Sequence, residues 1–184
     1  MRHLPAVLVL LAGVACGSTR PQIRPSTPFE PVHARFFDDA ADFVRDPVAL
    51  GGQWATEWDE ELRGRVGYAD TITRVKIETL RTSTDVEQRR TFHLVCRILD
   101  TLRGATPDDD RISVSVSEGA GGFETIARNE RRVVEGEYLL FIKWYEEGEE
   151  IRSHWHLSPA TRRLQADVDR MLAEAASRTA RQRQ

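Results

Sequence analysis

The chain is short of cysteine, of long apolar runs and of basic clusters, and each shortage excludes something. Only Cys16 and Cys96 occur in 184 residues, and Cys16 falls in a segment that reads as an export address. A folded part with Cys96 alone cannot close an internal disulfide, so its stability must come from packing. Cys96 alternates with Phe92, Leu94 and Ile98, the setting of a small buried hydrophobe rather than of a nucleophile with a nearby base. The formal net charge is -3, with no long basic run to neutralise a phosphate backbone, so no nucleic-acid partner is expected.

Catalytic and cofactor signatures are missing as well. There is no G-x-S-x-G, and the glycines around Gly119-Ala120-Gly121-Gly122 lack the Lys-Ser or Lys-Thr of a phosphate loop. Asp108-Asp109-Asp110 lacks the spacing and distal Glu of a calcium loop. The carboxylates of that run and of Glu146, Glu147, Glu149 and Glu150 read as solvated loop charge, because acid–base work needs carboxyls converging in a water-excluding cleft. No cofactor and no catalytic activity are expected.

What is present is ordinary for a globular protein, with 40% hydrophobic and 30% charged residues. Ahead of it, Met1-Arg2-His3 and an apolar stretch over residues 4–15 give a basic start, a short apolar core and a small-residue end. About a dozen apolar residues are too few to span a bilayer as a helix, so residues 1–15 read as a signal peptide. Residues 17–31 contain Pro21, Pro25, Pro28 and Pro31, which no helix or central strand tolerates, and residues 16–33 are expected to form a linker. A single domain is expected over 34–176 and a polar tail over 177–184.

Within that domain the spacing is helical over 34–64. Leu50, Trp54, Trp58 and Leu62 fall on one face, which predicts a buried stripe. From Tyr68 onward the period becomes two. Strands are expected over 71–80, from Phe92 to about 102, through Ile112, Val114 and Val116, over 138–145 where both faces are apolar, and through Ile151, Ser153, Trp155 and Leu157. Ser158 and Pro159 read as the cap and first position of a closing helix over 159–176. The fold class expected is α+β: a small five-stranded antiparallel OB-like barrel (68–157) with N-terminal helices and a C-terminal helix.

Two resemblances add to this. Gly13-Val14-Ala15-Cys16 resembles a bacterial lipobox, although Gly13 stands where that family carries Leu. The resemblance implies a lipid on Cys16, hence anchorage to a membrane of a bacterial cell envelope on its periplasmic or surface side; a plain signal peptide that leaves Cys16 free is the alternative. Tyr68-Ala69-Asp70, Leu102-Arg103-Gly104, Ile112 to Val116 and Gly136 to Phe141 resemble the barrel of the tissue-inhibitor-of-metalloproteinases-like (netrin-type) module. That implies a fold and a habit of protein binding, and protease inhibition does not transfer, because the family's disulfide-fixed N-terminal cysteine has no counterpart here.

The remaining chemistry is in the histidines. His154 and His156 are two apart on a strand and so share a face, and His93 lies on the polar face of another strand; together they are the candidate metal ligands. The polar face of a strand is also where solvated histidines fall. The functional expectation is therefore a lipid-anchored envelope protein that binds a protein partner without catalysis. A metal-binding protein using His154 and His156, or an unidentified hydrolase, is the alternative.

Overall fold

The structure, a computed structural model, describes residues 23 and 25–182, so residues 1–15, expected to be a signal peptide, and Cys16 lie outside the described residues. It is α+β, but its sheet is a curled, mixed one of six strands rather than a five-stranded antiparallel barrel. The strands are β1 (Ala40–Ala41), β2 (Thr71–Thr84), β3 (Arg90–Arg103), β4 (Arg111–Ser117), β5 (Glu137–Glu147) and β6 (Glu150–Pro159). They are ordered β1-β6-β5-β2-β3-β4. Strands β2 to β6 pair antiparallel as the alternation predicts, and β2–β3 is the expected hairpin. The sixth strand is two alanines long and pairs parallel to β6. Two residues carry no periodicity, which is why it was not legible.

The strand β5, apolar on both faces, lies between β6 and β2 and divides the core in two. Tyr138, Leu140 and Ile142 point into the curl, with Val75, Leu94, Cys96, Val114 and Trp155. Leu139 and Phe141 point outward against α1 (Gly52–Tyr68) and α4 (Arg162–Gln182). Two short helices, α2 (Phe123–Ala127) and α3 (Glu130–Glu135), join β4 to β5 and supply Phe123, Ile126 and Val133 to the inner core. Burial pushes the Cys96 thiol up to about 12, as a small core side chain requires.

The N-terminal helical expectation is only half met. Two 3-10 turns, Pro31–Arg35 and Pro47–Leu50, flank β1, and the first α-helix begins at Gly52. Its buried stripe is Trp58, Leu62, Arg65 and Val66, whereas Trp54 is 71% exposed and Leu50 lies outside the core. The apolar spacing runs one turn beyond the surface the helix covers.

Two boundary expectations are corrected at the other end. Ser158 and Pro159 complete β6 rather than open a helix, and Thr161 caps α4 instead, its Oγ1 accepting from Leu164 N at 3.2 Å. The helix then runs to Gln182, through most of the segment read as a tail.

The described end of the expected linker lies against the domain. Thr27 and Ser26 accept from Lys143 Nζ at 2.9 and 3.4 Å, and Phe29 packs on Tyr145 and His154. Beneath them Lys143 and Asp70, with side chains 1% and 4% exposed, form an ion pair at 3.0 Å. Asp70 also accepts from Trp144 N and from the backbone and hydroxyl of Ser26, so its acceptor capacity is filled.

Candidate functional site

The polar side chains gather on the outer face of β6, where the strand meets the segment around β1. Odd residues of β6 point into the core and even ones outward, which puts His154 and His156 on one face, as their spacing predicts. Facing them are three aspartates that bracket Ala40 and Ala41. Asp39 has φ +54, a left-handed conformation that Asp tolerates, and this turns the chain into β1 with its carboxylate folded back on β6. Asp39 Oδ1 accepts from Trp155 N at 3.0 Å, and Oδ2 lies 2.8 Å from His154 Nδ1.

His156 is buried, and both its nitrogens are taken: Nδ1 lies 2.7 Å from Asp38 Oδ1 and Nε2 lies 3.2 Å from Asp42 Oδ2. Ionised carboxylates only accept, so each ring nitrogen facing one of them is placed to donate. Ser158 Oγ donates to the same Asp42 oxygen at 2.6 Å, and Arg65 stands 3.7 Å from it. Burial alone would raise both carboxyls. The hydrogen bonds and charge of His156, with Arg65 behind them, outweigh it and hold Asp38 and Asp42 below the usual carboxylate range.

Serine, histidine and aspartate are thus together, in an order unlike that of a nucleophilic triad. Ser158 donates to Asp42 and not to His156, and it is itself fully buried. The set acts as a clamp that fastens β1, the turn before it and α1 to β6. A metal would find little to bind here: His156 has no free lone pair, His154 is turned to Asp39, and His93 bonds Ser83 in the β2–β3 hairpin at 2.7 Å. Among the described residues no group of three or more His, Cys, Asp or Glu is arranged to hold a metal ion.

A groove in the surface lies beside this clamp. Four antiparallel pairings separate β4 from β6 along the sheet, so these two strands run in the same direction across the mouth of the curl. They are not paired to each other. At one level the Trp155 indole bridges them, donating to Ser115 O at 3.0 Å. Around it is a groove of about 480 Å³, lined on one side by Ser113, Ser115 and Ser117 and on the other by Arg152, Ser153 and His154.

Comparison with known protein families, with curated proteins and with solved structures finds no match. The chain's own geometry is therefore the ground for a functional reading. Of the residues singled out in the sequence, His154 and His156 belong to the clamp, His93 is elsewhere, and Cys16 lies outside the described residues. Sequence reasoning missed Asp38, Asp39 and Asp42; their only trace was a cluster of acids around two alanines, small enough for close backbone approach.

Proposed function

We propose that this chain is a lipid-anchored protein of the bacterial cell envelope, acylated on Cys16, whose folded part is a non-catalytic module that holds a protein partner. The observation that carries the reading is the disposition of its polar groups. The buried His156, Arg65 and Lys143 are spent on carboxylates, in the His156 clamp and the Lys143–Asp70 pair, and of the clamp only Asp39 and His154, bonded to each other, reach the groove. What faces the groove is the outer edge of β4 with its row of serines, a surface suited to another polypeptide.

Two measurements test this. Intact mass of the mature N-terminus separates anchor from plain secretion: acyl chains add hundreds of daltons in methylene increments, and Cys16→Ser abolishes them. A soluble, unmodified chain starting at Cys16 sinks the anchor. Crosslinking in intact cells identifies the partner, and recovery of the chain without any specific crosslinked protein sinks the binding role.

A further inference from the structure

Hydrogen-bond parity shows what the groove lacks. On β4 the even residues face β3: Asp110 O accepts from Ile98 N and Glu118 N donates to Arg90 O, each at 2.8 Å, at the two ends of the ladder. The odd residues Ser113, Ser115 and Ser117 therefore turn their backbone groups toward the groove, and Ser115 O meets the Trp155 indole there. On β6 it is the backbone groups of the odd residues that face away from β5: Trp155 O and Leu157 O accept from Asp39 N and Asp42 N, both at 2.9 Å. The same parity aims the backbone groups of Ser153 and Ile151 at the groove from the other side.

The strand β1 occupies this row for two residues only. It pairs with His156 and Leu157, and Gly122 closes the far side, where a Cβ would lie 2.1 Å from Asp39 O. Before Ala40 the chain leaves the row at Asp39, whose φ is +54. Next to Ser153 and Ile151 none of the described residues enters the row, and the groove lies there between two strand edges.

We infer that this part of the groove is a strand-acceptor site: it takes an extended segment of a partner protein, which continues the row of β1 and bonds to β4 and β6 together. The inference rests on the protein-binding reading above. Side chains of the segment that point inward meet Val114, Val116 and Trp155, so they are small or apolar; those pointing outward meet Ser113, Ser115 and Ser117, so they are polar.

Charge sets the end of the segment. Ser115 and Trp155 mark one level, and four residues earlier on each strand stand Arg111 and Ile151. The loop 104–110, with its three aspartates, and the turn 146–150, with four glutamates, thus flank one mouth of the row. Arg152 is held there by Glu147 and Glu150, and Arg111 by Glu78. The mouth keeps an excess of negative charge, which matches a Lys or Arg on the incoming segment.

The test is a selection on the whole chain with displayed ten-residue peptides that alternate random apolar and random polar positions, followed by titration of the enriched peptide and amide exchange. Enrichment of sequences with a terminal Lys or Arg is expected, with new protection at Ser113, Ser115 and Ser153. Ser115→Pro removes a backbone donor that faces away from the β3 ladder, and should weaken binding tenfold or more at unchanged melting temperature. Should that variant not fold, the exposed double variant Glu149→Lys with Glu150→Lys carries the test by shifting the selection away from basic ends.

No enrichment, or bound peptides indifferent to both variants, overturns the proposal. So does self-association of the chain through β4, which would give the row to a second copy. A cellular partner that crosslinks to the Ser115→Pro chain as well as to the parent sinks the groove but leaves the protein-binding reading. Absence of any partner sinks that reading itself.

Discussion

Lys143→Met is the sharpest test of how the core is closed. The substitution keeps the length and bulk of the stem and removes the ammonium, leaving Asp70 charged beneath Ser26 and Thr27. With both partners nearly fully covered, Lys143 1% and Asp70 4% exposed, the remaining carboxylate cannot recover water without opening the N-terminal segment. Breaking a buried pair from one side costs about 3–5 kcal/mol. At about 2–4 °C per kcal/mol for a chain of this size, the melting temperature should fall by roughly 6–20 °C.

Thermal melts and urea titrations read this directly, and Lys143→Met combined with Asp70→Asn should recover much of the loss, since Asn still accepts from Trp144 N. A single-variant loss under about 1 kcal/mol, the level of an exposed ion pair, would refute the reasoning. So would a double variant no more stable than the single. Deleting residues 1–30 strips Ser26, Thr27 and Phe29 from the same place and should also destabilise, whereas the linker expectation alone would have it neutral.

Three further outcomes follow from the fold. Trp58→Ala should cost about 3–5 kcal/mol and Trp54→Ala almost nothing by urea titration, because only Trp58 is in the core. Asp38 and Asp42 have depressed carboxyl pKa values, so the stability they contribute is complete above the unfolded value near 3.8 and is lost as pH falls through the folded one; unfolding followed from pH 5 to pH 2 should show a smaller decline in Asp42→Asn than in the parent. Gly122→Ala should destabilise by about 1–3 kcal/mol in a thermal melt, since its Cβ would meet Asp39 O and Ala40 Cα, both backbone atoms of the strand that ends the groove.

The strands were legible because alternation is a local signal: Phe92, Leu94 and Cys96, or Ile112, Val114 and Val116, declare a buried face without knowledge of what covers it. The same rule placed His154 and His156 together, and the doubly apolar run of β5 declared a strand covered on both sides. Partners distant in sequence were not legible. Asp38 and Asp42 reach His156 across 118 and 114 positions, and Asp70 reaches Lys143 across 73, so no local pattern ties these charges together before the chain folds. Ser158 shows the conflict at one residue. Locally, Ser-Pro is a helix start; in the fold its hydroxyl is drawn to Asp42, and β6 continues through it. Tertiary structure also decided that the barrel stays open. Because β4 and β6 run the same way at the two sides of the curl, no hairpin can join them, and among the described residues a two-residue strand and one tryptophan are what lies across the gap.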